Sequence, residues 1–214
     1  MTSLVLRTEK ANVRIVLLPI EELRPHEMGS PLYLGLLRQE ILRDGILKYP
    51  IIADEKTHVI LDGMHRWLAL KSLGCTLIPV MLIDISNSLN VRVGRRRIHR
   101  YTGDADTEIT VERVIQTGLS GRLMQPRSTR HFFPFSKFQQ VNYPLSMLKK
   151  GPPRDVSKYL SRMTDGECSL AIKEWLDEIS EELEFLTKRK EEVEKEKEDF
   201  LNRVKNLGKS LSTL

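Results

Sequence analysis

A chain of 214 residues, 40% hydrophobic and 29% charged, is long enough to bury one ordinary domain plus an extension and too apolar to be a disordered segment. No apolar run approaches the roughly 18 residues of a membrane span, and the start MTSLVLRTEKANVRIV has no secretory signal pattern, so a cytoplasmic protein without a membrane partner is expected. Charge is uneven: residues from 165 onward carry 9 Lys and Arg against 14 Asp and Glu, residues before it 25 against 15, leaving a body of +10 and a tail of −5. Such a body suits an anionic partner, either nucleotide phosphates or nucleic acid. Cys75 and Cys168 fall outside metal-ligand spacing and are expected to be reduced, structural thiols.

The run Val13-Arg-Ile-Val-Leu-Leu-Pro19 predicts a buried strand, followed by the loop Glu21-Glu-Leu-Arg-Pro-His-Glu27. Ser30 then caps a helix that Pro31 opens, with Leu34, Leu37 and Ile41 at helical spacing and Gly45 as its stop. Residues 50–54 and 58–62 form two short apolar runs around the turn Glu55-Lys-Thr and predict a hairpin. Asp62 is placed to cap the next helix, which runs from Met64 to Leu73 and stops at Gly74; residues 78–83 predict another strand.

Beyond Asp84 the pattern weakens around the basic cluster Arg92 to Arg100, then returns as one short helix from Thr110 to Gln116 ending at Gly118. Residues 119–153, with Pro126, Phe132, Phe133, Pro134, Phe135 and Tyr143, predict irregular chain packed over the body, and Gly151-Pro-Pro153 predicts a linker. In the tail, Ile172, Leu176, Ile179, Leu183, Leu186, Val193, Phe200, Val204 and Leu207 follow a heptad rhythm interrupted by Lys190 and Lys197. That pattern fits a coiled coil that pairs two copies, or a helix folded on its own body, or a solvated lever. The expected division is 1–150 for the body, 151–164 for a linker and 165–214 for the helical tail.

The strongest chemical signal is Leu61-Asp-Gly-Met-His-Arg-Trp67, a glycine at a strand-to-helix turn where unpaired backbone N–H groups point outward. Such a turn can hold phosphate, because the helix dipole favours negative charge and His65 and Arg66 can add donors, or it can be merely structural. Asp62 is open to either a capping or a metal-linked role. Trp67 reads as core rather than as a base-stacking surface, and the arginines of 92–100 as a solvated face unless nucleic acid is the partner.

Asp62-Gly-Met-His-Arg-Trp67, with Ala69-Leu-Lys-Ser-Leu-Gly74 and Ile78-Pro79, resembles the phosphate-binding box of the ParB/sulfiredoxin superfamily. Sulfiredoxins carry a reactive cysteine in that box, absent here, and chromosome-partition proteins usually have Gly-Glu-Arg-Arg. Gly63-Met-His-Arg66 is closer to the Gly-His-His-Arg of free L-serine kinases, from which Met64 departs. Leu23-Arg-Pro-His-Glu27 is similar to the catalytic Lys-Pro-His-Glu of those kinases, and Pro126-Arg-Ser-Thr-Arg-His131 to their Pro-Lys-Thr-Thr-Arg-His segment.

The resemblance implies an α/β (α+β) ParB/sulfiredoxin-like nucleotide-binding domain followed by a long C-terminal helix. It implies a kinase that phosphorylates free L-serine to O-phospho-L-serine with ATP or ADP as donor and Mg²⁺ as cofactor. Carried over residue by residue, Glu27 is the catalytic carboxylate, and His26 shapes its loop. Asp62, Gly63, Met64, His65 and Arg66 hold the nucleotide phosphates, with Asp62 also the candidate metal ligand. Arg127, Ser128, Thr129, Arg130 and His131 bind the phosphates or the amino-acid carboxylate. The rival is a non-enzymatic ParB-like switch that binds nucleotide and DNA and dimerises through its tail; a scaffold with a degenerate kinase fold is the third reading, kept open by Met64.

Overall fold

Strand β1 (Leu4–Thr8) pairs antiparallel with β2 (Ala11–Pro19) in a computed structural model that describes residues 4–8, 11–87, 91–95, 108–133, 135 and 140–211. β2 contains the predicted run from Val13; β1 carries no turn or periodicity signal of its own and was not expected. After helix α1 (Pro31–Asp44) and the two-residue β3 (Ile46–Leu47) come β4 (Ile51–Asp54), β5 (Ile60–Asp62), α2 (Met64–Ser72) and β6 (Leu77–Ile83). The sheet has the order β1-β2-β6-β4-β5, antiparallel except for the central β4·β6 pair, which is parallel.

That central position explains why β4 reads as a continuous apolar run and not as an alternation: both of its faces are covered. Ile51 and Ala53 face a core built with α1 and α2, which includes Leu34, Ile41, Trp67, Leu68 and Leu70. Ile52 faces the second core with Ile15, Met81, Ile83 and Val114 of helix α3 (Val111–Ser120). The buried Asp54 ends the strand and closes the predicted hairpin turn, its carboxylate accepting from Lys56 N, Thr57 N, Thr57 Oγ1 and Ile85 N.

The cap and stop of α1 are as predicted: Ser30 Oγ accepts from Tyr33 N at 3.4 Å, and Gly45 closes the helix at φ 65°. Helix α2 differs. Its N-cap is Gly63, at φ 97°, with no side-chain cap, so Asp62 is not the capping residue; it is the last residue of β5. Gly63, left-handed, takes the capping position, and the Asp62 carboxylate lies 3.5 Å from Arg66. Helix α3 also runs past its predicted end at Gly118 to Ser120. There glycine serves close packing: a Cβ on Gly118 would lie 2.6 Å from Val59 Cγ2.

Residues 119–153 are more regular than the sequence indicates. β7 (Arg92–Arg95) pairs with β8 (Thr129–Phe132), β9 (Tyr143–Pro144) with β3, and α4 (Leu145–Leu148) buries Leu148 in the core. Short strands of two to four residues are set by distant partners, which local periodicity does not reveal. Of the basic cluster, Arg96, Arg97, His99 and Arg100 lie outside the described residues.

The chain divides into two compact units, Met1–Cys168 and Ser169–Leu214. Residues 151–161, the first part of the expected linker, pack on the first unit: Gly151 N donates to Gly74 O, Val156 and Ser161 are buried, and Tyr159 stands edge-on to Trp67 at 4.9 Å. Helix α5 (Asp165–Leu211) begins in the first unit, and from Ser169 onward it belongs to the second. Among the described residues no helix is long and apolar enough to cross a membrane.

Candidate active site

The loop from Leu23 to Ser30 follows β2 through a 3-10 turn (Ile20–Glu22) and is pinned by backbone bonds along its length. Ile60 N donates to Arg24 O, Met124 N to His26 O, Met28 N to Met124 O and Gly29 N to Tyr159 O, all at 2.8–2.9 Å. Gly29 is required by close approach, since a Cβ there would lie 2.3 Å from Leu68 Cδ1. The loop is therefore seated against both α2 and the segment before β8.

This seating aims Glu27 at the start of β8. Its Oε1 accepts from Thr129 N and from Thr129 Oγ1, both at 2.5 Å, and its Oε2 accepts from Arg127 N at 3.2 Å. Arg127 adopts φ 61°, a left-handed conformation uncommon for a side-chain-bearing residue, which turns its N–H toward the carboxylate. Three donors thus converge on a glutamate whose side chain is only 14% exposed. His26, on the other side of Thr129, is buried, and desolvation holds its pKa below the ordinary value despite the adjacent Glu27 charge.

The box reaches the same place from α2. His65 Nε2 accepts from Ser30 N at 2.8 Å, and its ring stands edge-on to Tyr33 at 4.7 Å. Burial, aided by the cationic Arg127 and Arg66, pushes its pKa down to about 4. His65 is thus a neutral imidazole with its hydrogen on Nδ1, offering one donor and no charge. Because the unfolded chain binds this proton near 6.5 and the folded one near 4, stability is complete above pH 6.5 and falls between there and pH 4, by up to roughly 3 kcal/mol. His65→Gln, which keeps an acceptor for Ser30 N–H but cannot titrate, should flatten that part of the melting-temperature profile; an equal slope in both proteins would place the titration elsewhere.

Arg66 Nη1 donates to Pro50 O at 2.5 Å, and its guanidinium lies against Gly63, where a Cβ would come within 3.0 Å. The cation is thereby held at the mouth of α2, whose first N–H groups have no side-chain cap. Met64 packs toward the core, so what it contributes to the box is its backbone N–H. Asp62 stays partly exposed beside Arg66. Among the described residues no three His, Cys, Asp or Glu are grouped to hold a metal ion.

The third motif divides. Thr129 and His131 share the face of β8 that meets His26, the two imidazoles edge-on at 5.6 Å. Arg130 lies instead over the Phe132 ring at 4.8 Å, with Arg92 over the same ring at 5.7 Å, as alternation along a strand requires. Ser128 Oγ donates to Gln125 O at 2.7 Å and closes the preceding turn. His26, assigned by sequence only to loop shape, proves to be part of the cluster; its signal was its place beside Glu27. Trp67 is core, 1% exposed and donating to Ile20 O, and Cys75 is a buried thiol with its pKa pushed up to about 11.

No family model matches the chain. It is 34% identical over 70 residues to the ATP-dependent L-serine kinase SbnI of Staphylococcus aureus, a match spanning 31% of this chain and 28% of that protein. It is 35% identical over 77 residues to an ATP-dependent L-serine kinase of Staphylothermus marinus, spanning 34% and 31%. To a ParB-like protein of Sulfolobus acidocaldarius it is 42% identical over 81 residues, spanning 36% and 39%. The match thus covers no more than about two-fifths of any of these relatives.

Solved structures extend the comparison to about two-thirds of the chain. A free serine kinase in complex with AMP superposes with a TM-score of 0.53 at 15% identity, covering 63% of this chain and 93% of that one. C-terminally truncated SbnI from S. aureus superposes at 0.53 and 17%, covering 67% and 92%. The fold is that of the free serine kinases. Two of these sequence relatives are serine kinases by name, and the fold spans nearly the full length of the solved free serine kinase chains.

Proposed function

We propose that the protein transfers the terminal phosphoryl group of ATP or ADP to the hydroxyl of free L-serine, forming O-phospho-L-serine. The observation that carries this reading is the meeting of three distant motifs. Glu27 is bonded to Arg127 and Thr129, Ser30 to His65, and Arg127 stands near enough to His65 to repel its proton. A fixed carboxylate beside a cationic, uncapped helix start is what phosphoryl transfer uses, because that reaction is mostly positioning and charge neutralisation.

In this reading the N–H groups of α2, the Arg66 guanidinium and the Nδ1–H of His65 bind phosphate oxygens. Glu27 orients the serine hydroxyl and receives its proton as the new O–P bond forms. The Arg127 side chain, whose charge reaches His65, and His131, edge-on to His26, suit the substrate carboxylate; Arg130 and Ser128, engaged elsewhere, shape the strand and its turn. Mg²⁺ takes most of its ligands from substrate phosphates and one or two carboxylates, so a single partly exposed carboxylate, Asp62, fits it without a protein-built cage. When bound, the ion neutralises charge on the phosphate oxygens.

Pure protein incubated with Mg²⁺, ATP or ADP and mixed free amino acids should yield phosphoserine by mass spectrometry. Absence of product with both donors, together with nucleotide-dependent binding of duplex DNA, would replace the kinase by the ParB-like alternative.

The tail is proposed to pair two copies in a cytoplasmic homodimer. Leu176, Leu183, Leu186, Val193, Phe200 and Val204 are exposed on α5 at heptad spacing, with Lys190 and Lys197 on the same seam. Such polar core positions lower stability while limiting the number of strands. Deleting 165–214 should convert a dimer into a monomer in light scattering and leave phosphoserine formation within a few fold; a monomeric full-length chain would refute the pairing.

A further inference from the structure

Thr129 Oγ1 lies 2.5 Å from Glu27 Oε1 and 2.9 Å from His26 Nε2. Two contacts of hydrogen-bond length need two hydrogens, and the threonine hydroxyl brings one. The hydrogen inventory therefore depends on His26. Nε2 is the ring nitrogen turned to Thr129, and the neutral ring can hold its hydrogen there, donating to Thr129 Oγ1, or on Nδ1, leaving Nε2 to accept. Facing it are Glu27, 3.8 Å away, the hydroxyl of Thr129 and the His131 ring at 5.6 Å, and the imidazole is only 5% exposed.

With Glu27 ionised, the hydroxyl hydrogen goes to the carboxylate, the stronger acceptor. In the Nδ1 tautomer, Nε2 then faces Thr129 Oγ1 with a lone pair and no hydrogen between them. One additional proton on Glu27 would complete both bonds, carboxyl to hydroxyl oxygen and hydroxyl hydrogen to imidazole.

Resting on the kinase reading, we propose that His26 carries its hydrogen on Nδ1 and that Glu27, Thr129 and His26 form a proton-receiving chain in which the proton taken from the substrate hydroxyl turns the Thr129 hydroxyl over to His26 Nε2. The balance is as follows. The substrate O–H bond breaks and its electron pair remains on that oxygen, which bonds to phosphorus. The bond from phosphorus to the bridging oxygen of the nucleotide breaks, and that electron pair leaves with the nucleotide. The proton bonds to Glu27, whose carboxyl donates to Thr129 Oγ1 while Thr129 donates to His26. Nothing else is oxidised or reduced, and the proton departs to solvent after product release. His26 touches no substrate in this scheme; it is a positioning residue that makes the protonated form of Glu27 easier to reach.

Thr129→Val keeps the shape and removes the hydroxyl, whereas Thr129→Ser keeps the hydroxyl. Thr129→Val should lower kcat about tenfold or more, part of the range that proton transfer contributes, while the Kd for ADP and the KM for serine stay within about twofold. Thr129→Ser should recover most of the lost kcat. A Thr129→Val enzyme as fast as the wild type overturns the chain and leaves the kinase reading standing; a wild type that makes no phosphoserine from either donor overturns both. Should Thr129→Val fail to fold by circular dichroism, His26→Phe, which keeps a ring, replaces it with the same expected loss. Nitrogen-15 NMR of the unmodified chain gives a readout independent of turnover: a neutral His26 with hydrogen on Nδ1 is expected, and hydrogen on Nε2 would refute the proposal.

Discussion

Glu27→Gln is expected to lower kcat by about 10² to 10⁴, the usual worth of a positioned general base, while nucleotide affinity changes by no more than a few fold. The rate falls because an amide cannot accept the substrate proton. The geometry adds that this substitution is not structurally silent. The carboxylate accepts three hydrogen bonds, two on Oε1 from Thr129 and one on Oε2 from Arg127 N. A glutamine can point its oxygen at Thr129, but its NH₂ then meets the Arg127 N–H, donor against donor. Leaving that donor unsatisfied costs about 1–3 kcal/mol, so a lower melting temperature should accompany the lost rate. Single-turnover kinetics with saturating nucleotide separate the two effects, because a fold that is weakened but intact at 25 °C still binds ADP. Turnover at the wild-type rate would remove Glu27 from the mechanism.

Arg66→Ala should weaken ATP and ADP binding by roughly 10- to 150-fold, corresponding to the loss of charge-assisted hydrogen bonds worth about 1.5–3 kcal/mol. Turnover should fall with it, since the guanidinium would touch phosphate in both ground and transition states. Arg66 also donates to Pro50 O and lies beside Asp62, so its removal orphans a carbonyl and loosens the hairpin under the box. Lysine is a poor substitute because a point charge cannot serve the carbonyl and a phosphate in the same plane. Arg66→Lys should therefore lie between wild type and alanine in affinity. Calorimetry at a temperature well below the melting point of each variant is the deciding measurement; unchanged affinity for both nucleotides would move the phosphate site away from the start of α2.

Much of this was legible in the linear chain because it is written locally. Ser30, Pro31 and Gly45 mark the ends of α1 through backbone chemistry confined to one turn, and the five apolar runs that became β2, β4, β5, β6 and the core of α2 bury whatever surrounds them. The three motifs are contiguous strings, so their likeness to the free serine kinases could be read before any contact was known. What failed were inferences that need a partner. Asp62 reads as a cap because its residue type and position fit one, but the left-handed backbone at Gly63 carries the cap to the glycine. Gly118 reads as a helix end, yet its purpose is the approach of Val59, 59 residues earlier in the chain.

By itself the sequence determined the order of the main elements, the glycine turn at the start of α2, the three motifs on which the proposed site rests and the separation of a basic body from an acidic heptad tail. These follow from residue type and spacing, which are properties of neighbours along the chain. Only the tertiary structure decided that His65 is neutral, that Arg130 turns away from the site, and that Thr129 stands between Glu27 and His26. Charge state depends on burial and on arginines brought from other segments, strand facing depends on register, and a hydrogen bond between residues 27 and 129 exists only once the backbone has carried them within 3 Å.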